Sequence, residues 1–436
     1  MGKAAENNQG FSSAFGFIMT AVGCALGIGT LWRFPYMLGE NGGAAFLVLY
    51  IIMLFVIGVP LLVAEMSVGF KAQKTAIQAY KTLAPGTKWH WAGILHTIAA
   101  IIMIGYTIPI YSAIWEYIYK AAVGFFNGMN ATEIANFYTT FNADKPLVVI
   151  LALGNYLLTY IIIQFGLQKG AETVAKYLLP ALAVIMIVII IFGLQLDGAM
   201  DGVSFIFTPD FSAITGETVV ACAGQIFFAL GLAMLASMVF GSYVKDPKEN
   251  LSKSAIIICA AILFTGLCAA MMIFPMVFHA GLEPSQGPGL VFIIMPQVFN
   301  SIPAGQIIGP LFYFGFYIAA ITSLLGVFEA VTSVFQDELH LNRRVGSTVA
   351  MIPVAALGII SCIFDDVFNF MDMFESNYVL IASGLCISIF CGWYWGADNF
   401  LDAANVKNAF MRNWIKVCVK FVAPIIIVAV FITSVF

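Results

Sequence analysis

The chain has 436 residues, 61% of them hydrophobic and 10% charged, with a formal net charge of −4 and a mean hydropathy of +0.96. No soluble globular domain has this composition. The apolar stretches are long rather than alternating, which argues against a β-barrel and for a polytopic helical membrane protein.

In chain order, residues 1–10 are polar with a single lysine and no cleavable signal pattern, so the first span is expected to stay in place. The first apolar run, 11–37, is long enough to cross a bilayer but makes a poor continuous helix. Gly27 and Gly29 weaken its centre, Pro35 disfavours helix at Phe34, and Arg33 sits at membrane depth. A break there frees carbonyls that suit a small cation and N–H groups that suit a carboxylate. The plainer reading is a glycine-packed helix contact with Arg33 snorkelling to the interface. The crowding of glycines, arginine and proline between Gly27 and Pro35 favours the broken helix.

Ten further runs follow, at 44–70, 89–123, 146–167, 173–195, 217–243, 253–279, 306–336, 346–364, 373–396 and 413–435. The Pro/Gly-rich connection 282–304 holds an apolar stretch, 292–299, that suits a short helix. The sixth run breaks its pattern at 229–233, echoing the first. Each break opens a set of five spans, and an odd number inverts the second set, so the expectation is a 5+5 inverted repeat. Its halves are 11–195 and 217–396, with an extra helix at 413–435, in one transmembrane domain spanning 1–436.

With the N-terminus inside and eleven spans, all of the 19 basic residues except Lys120, Lys145 and Arg33 fall on the inner side, which places the C-terminus outside. The eight cysteines fall in or beside apolar runs without a CxxC motif, as small packing residues do. Asn130-Ala131-Thr132 is a glycosylation sequon best explained by chance.

Several motifs together resemble the neurotransmitter:sodium symporter family, whose bacterial members are LeuT-like amino-acid transporters. They are Gly27-Ile28-Gly29 with Trp32-Arg33-Phe34-Pro35, Glu40-Asn41-Gly42-Gly43, Phe46, Pro60, Glu65, Gln225-Ile226-Phe227-Phe228, Ser242-Tyr243 and Thr322-Ser323 ahead of Asp337-Glu338-Leu339. The resemblance implies an all-α, LeuT-like symporter with broken first and sixth helices, working by alternating access in the cytoplasmic membrane. Its partners would be an amino-acid-like small molecule and the bilayer, with no nucleic acid, no obligatory protein partner and no organic cofactor.

By the same resemblance, one sodium ion would be held by Gly23, Leu26, Ala319, Thr322 and Ser323, all hard oxygen donors; the plainer role for Thr322-Ser323 is a hydrogen bond in a small-residue helix contact. The family's second, substrate-linked sodium site departs sharply, with Thr30, Ala229 and Ala261 where the family carries an asparagine, a hydroxyl and an amide. Its chloride positions keep Tyr50 and Gln225, and Thr265 is a candidate, but they lose oxygens at the same two alanines. One sodium and no chloride are therefore expected.

The implied substrate site comprises Ala25, Gly27, Ile28, Gly29, Thr30, Ile102, Tyr106, Phe228, Ala229, Gly231, Met234, Ser323 and Val327, with Tyr111 a rival to Tyr106 as the tyrosine over the carboxylate. Gly27 stands where amine-selective relatives carry an aspartate, which argues against monoamines. Arg33 and Asp372 match the outer gate pair, with Gln225 beside them, and Tyr243 and Asp337 match the inner gate. The family's N-terminal arginine and tryptophan fall at Asn8 and Phe11, leaving Lys3 as a substitute, and Glu329 replaces a polar amide, to be either paired or protonated. Rival classes are a proton-coupled or sodium-independent transporter, a binding-only or channel-like derivative lacking the polar stripe of a channel, and a membrane enzyme, for which no HExxH or Gly-x-Ser-x-Gly motif is present.

Overall fold

The computed structural model describes residues 10–27, 29–282 and 289–435. Among these, nine helices are long and apolar enough to cross a membrane. The first and sixth spans are each split into two helices, and together the set makes the eleven expected spans. The two halves of the first span, Ala14–Ala25 and Gly29–Glu40, are bent by 56°. The connection before the eighth span holds the expected short helix, Leu290–Ser301.

The break in the first span lies earlier than Pro35 suggests. Pro35 sits inside a continuous helical stretch, directly after a π-helical turn, Gly29–Arg33. The same arrangement recurs at Pro60, after Leu54–Gly58, and at Pro296, after Leu290–Ile294. Proline has no N–H, and its ring collides with the carbonyl four residues back. A π turn widens the helix at that point and absorbs the misfit without ending it. The break itself falls on the Leu26–Gly27 side, where glycine makes helix costly.

The eighth span, Gly305–Leu339, is the most enclosed, with 83% of its apolar window buried, against 33% for the fourth, fifth and eleventh. It forms the axis of the molecule and packs against the first, third, fifth and ninth spans. The second span lies against the inner half of the sixth. Their backbones meet through reciprocal glycines: a Cβ on Gly69 would lie 1.8 Å from the Met238 carbonyl oxygen, and one on Gly241 would lie 2.2 Å from that of Met66. Such contacts drive helix association where lipid offers no hydrophobic gain.

All eight cysteines are unpaired and buried or half-buried, as expected of packing residues. Asn130 of the sequon caps the helix Ala131–Ala143 in a capping box with Glu133, a structural use of that asparagine. Gly69→Ala and Gly241→Ala should each destabilise the protein by ~1–3 kcal/mol through overpacking, read as a lower melting temperature in detergent. A Gly216→Ala control, where nothing lies within 4 Å of the added Cβ and φ is not positive, should cost less.

Candidate functional site

The two breaks meet, with Gly29 of the first span against Phe228 and Ala229 of the sixth. The first helix ends on Leu26 as its cap, and the sixth span's first helix ends on Gly231 in the left-handed conformation at φ +58°. A Cβ on Gly29 would lie 2.5 Å from Phe228 Cδ1, so only glycine permits this approach. Gln225 Nε2 donates to the Gly29 carbonyl at 2.8 Å. Gln225, expected beside the outer gate, is therefore a strut between the broken spans.

A cavity lies between the breaks and the third and eighth spans. Of the residues expected around a substrate, Ala25, Gly27, Gly29, Phe228, Gly231, Met234, Ser323 and Val327 line it. Ile28 lies outside the described residues. Thr30 is buried beside the cavity, its hydroxyl donating to the Ala25 carbonyl at 3.3 Å, and Ala229 is buried behind it. Only about 30 Å³ is open to the centre of a water-sized sphere, room for roughly two waters. The open space is narrow and enclosed mostly by apolar side chains.

Four of the described residues expected around a substrate do not line the cavity: Thr30, Ala229, Ile102 and Tyr106. The cavity's third-span wall is Met103, Thr107 and Tyr111 rather than Ile102 and Tyr106. The two sets share the four-residue spacing of one helix face but differ by one position, about 100° of rotation. Ile102 packs instead in a small cluster with Phe228 and Met234. Tyr106 lies near Asp372 and Glu375 and packs on Phe368 with ring centroids 5.7 Å apart. Tyr111 is thus the cavity tyrosine. Sequence reasoning also missed Cys24 and Met66; the step from Glu65 to Met66 was the available signal for the latter.

The sodium-site residues come together where the first and eighth spans touch. A Cβ on Gly23 would lie 3.4 Å from Thr322 Cβ, and one on Gly27 would lie 2.5 Å from Ser323 Oγ. Thr322 donates to the carbonyls of Ile318 and Ala319, each at 3.0 Å. Leu26 caps the first helix, so its carbonyl belongs to the terminal set without helical partners. These oxygens suit a hard monovalent cation. At the chloride positions, the Thr265 hydroxyl donates to the Ala261 carbonyl of its own helix at 2.8 Å.

At the outer end, the Arg33 guanidinium lies over the Phe228 ring, 4.7 Å from its centroid. Tyr36 and Asp372 face it, yet none of the ion pairs among the described residues joins Arg33 to Asp372. The outer pair is adjacent but unlocked.

The inner gate departs further from expectation. Tyr243 and Asp337 serve separate structures. Asp337 accepts from the Thr75 N–H at 3.1 Å and its hydroxyl at 2.7 Å, holding the start of the loop helix Ala76–Leu83. Tyr243 hydrogen-bonds Ser333 and donates to Glu329 at 3.1 Å. Glu329, fully buried, forms a bidentate pair with Arg343, whose Nη1 lies 2.8 Å from Oε1. Arg343 also donates to the Ile163 carbonyl at 3.0 and 2.7 Å. Glu329 is therefore paired, and one ion pair joins the fourth, sixth, eighth and ninth spans. Phe11 takes the tryptophan's place, packing on Phe17, Phe240 and Tyr243; Lys3 and Asn8 lie outside the described residues.

Glu329→Leu or Arg343→Leu alone should cost ~3–5 kcal/mol, and the double variant should recover much of it, because each single change strands a buried charge; thermal melts of the three variants check this. Arg33→Ala should slow uptake about tenfold while substrate affinity changes about threefold or less, because it removes the cation–π closure over Phe228 but no cavity wall. Uptake and equilibrium binding measured side by side separate the two.

Comparison with known proteins agrees with this geometry. A family model for the sodium:neurotransmitter symporter family matches residues 8–125 and 142–436. A sodium-dependent transporter of Haemophilus influenzae, described as uncharacterized, is 31% identical over 454 residues, covering 99% of both chains. The sodium-dependent transporter YhdH of Bacillus subtilis, also described as uncharacterized, is 30% identical over 438 residues, covering 97% of this chain and 96% of YhdH. The crystal structure of MhsT in complex with L-phenylalanine is 32% identical with a TM-score of 0.89, covering 98% of this chain and all of that one. The fold is LeuT-like, and these relatives are transporters rather than enzymes. The chain belongs to the sodium:neurotransmitter symporter family.

Proposed function

We propose that the protein is a sodium-coupled symporter of an amino acid with a bulky apolar side chain, using one sodium ion and no chloride. The observation that carries this reading is the crossing of the two breaks. The first helix ends there beside Ala25 and Gly27, and the second half begins at Gly29, so carbonyls and N–H groups converge on one cavity. Carbonyls suit an ammonium group and helix-start N–H groups a carboxylate. The rest of the wall is apolar and pliable, with Leu62, Met66, Met103, Met234, Phe240 and Ile258. L-phenylalanine, bound by MhsT, has the matching chemistry. Tyr111 is the residue to lid the carboxylate.

The single-sodium reading is ligand arithmetic. The Gly23, Leu26, Ala319, Thr322 and Ser323 set retains three carbonyls and two hydroxyls. The substrate-linked set has lost side-chain oxygens at Ala229 and Ala261, and the Thr30 hydroxyl is turned to Ala25. A cation without oxygen ligands in a low-dielectric cavity would not recover its hydration energy. Sodium then acts by tying the first span to the eighth and favouring the outward-open state. The lysine and arginine distribution supports a cytoplasmic N-terminus and a C-terminus on the outer side of the cell membrane.

Sodium titration of L-phenylalanine uptake into proteoliposomes should give a Hill slope of about one, since one site binds one ion. Thr322→Ala with Ser323→Ala should abolish the dependence, and replacing chloride with gluconate should leave uptake unchanged. A slope near two, or sodium dependence surviving the double variant, would overturn the single-ion reading.

A further inference from the structure

The break in the sixth span contains two non-glycine residues in left-handed conformations, Ala233 at φ +65° and Leu235 at φ +75°. An L-residue with a Cβ rarely adopts this geometry unless its surroundings impose it. Both backbone groups of Ala233 are held by side chains from other spans. Its N–H donates to Glu65 Oε1 at 2.5 Å, and its carbonyl lies 3.0 Å from His96 Nδ1. A carbonyl carries no proton, so Nδ1 must donate; Nε2 is then the acceptor, and the Tyr80 hydroxyl lies 3.1 Å from it. Tyr80 stacks on the imidazole at an interplanar angle of 10° and is backed edge-on by Phe390. His96 and Tyr80 are buried, and neither lines the cavity. The turn they hold does: Gly231 and Met234, on either side of Ala233, form its wall.

We propose that His96, its proton placed by Tyr80, is a positioning residue for substrate selection: it fixes the Ala233 carbonyl and thereby the left-handed turn that sets Gly231 and Met234 against the substrate side chain. This rests on the amino-acid reading above. Glu65 holds the N–H of the same residue, on the preceding peptide, but only His96 sets the carbonyl direction.

The test uses the full chain in proteoliposomes, with L-phenylalanine and L-alanine as probes, and hydrogen–deuterium exchange of residues 229–237 without substrate. His96→Leu should lower the discrimination between the two amino acids about tenfold by loosening the cavity wall and should speed local exchange about tenfold. His96→Asn, whose amide nitrogen stands near Nδ1, should restore both to within about threefold of the native values, whereas His96→Gln, which reaches toward Nε2, should not. Tyr80→Phe should give a smaller effect and add nothing to His96→Leu, as residues acting in one chain do. Unchanged discrimination and exchange in His96→Leu would overturn the proposal, as would equal loss for both amino acids with no rescue by asparagine. If His96→Leu does not fold, Tyr80→Phe and the asparagine–glutamine contrast decide. Native protein that takes up neither amino acid would sink the transport reading, while the exchange measurement still decides the role of His96.

Discussion

The constraint on which the structure depends is that backbone polar groups inside a membrane must find partners. An unbroken helix satisfies its own, but each break releases N–H and carbonyl groups where no bulk water reaches them, at a cost of several kcal/mol per group left unpaired. This chain breaks two helices where they pack together and answers with side chains drawn from neighbouring spans. Gln225 takes the Gly29 carbonyl, Thr30 takes that of Ala25, and Glu65 and His96 take both groups of Ala233. What remains around the cavity and the Thr322–Ser323 pair is a small set of oxygens and amides, and those are the groups available to cargo.

Packing then determines how close the breaks come. Glycines at 23, 27 and 29 bring the first span against Thr322, Ser323 and Phe228, while Gly69 and Gly241 let the second span lock onto the inner half of the sixth. The result is a narrow cavity with Arg33 over Phe228 at one end. At the other end are the aromatic cluster around Phe11 and the Glu329–Arg343 pair. A buried ion pair is weak evidence for stability, since well-packed apolar residues often do as well. Its value here is directional: Glu329 reaches Tyr243 of the sixth span and Arg343 reaches the Ile163 carbonyl of the fourth, so the pair fixes the register of four spans.

The same local chemistry separates the two cation sites. The first-to-eighth contact presents several oxygens within one small volume. The substrate-linked positions present alanines at 229 and 261, which carry no side-chain oxygen. On the reading proposed above, coupling therefore runs through span-to-span closure rather than through direct contact between cation and substrate.

The amino-acid sequence by itself determined that this is a helical membrane protein with eleven spans, that the first and sixth are interrupted, and which residues gather near the interruptions. Apolar length and glycine position are local properties, so the chain displays them directly. The sequence did not decide which face of the third span meets the cavity: 102 and 106 obey the same four-residue spacing as 103, 107 and 111, and only packing against the first, sixth and eighth spans selects the latter set. The expected window for the first break, Gly27 to Pro35, opens at the observed break, but the π turn that lets the helix continue through Pro35 leaves no mark beyond the proline itself. Glu329 was legible only as a buried charge. Its partner, 14 residues on across a tight turn between spans, became definite when the fold brought Arg343, Tyr243 and the Ile163 carbonyl to one point. The pairing of His96 with Ala233, 137 residues apart, is of the same kind: hydrogen bonds between distant segments have no period in the sequence, and only the tertiary structure makes them neighbours.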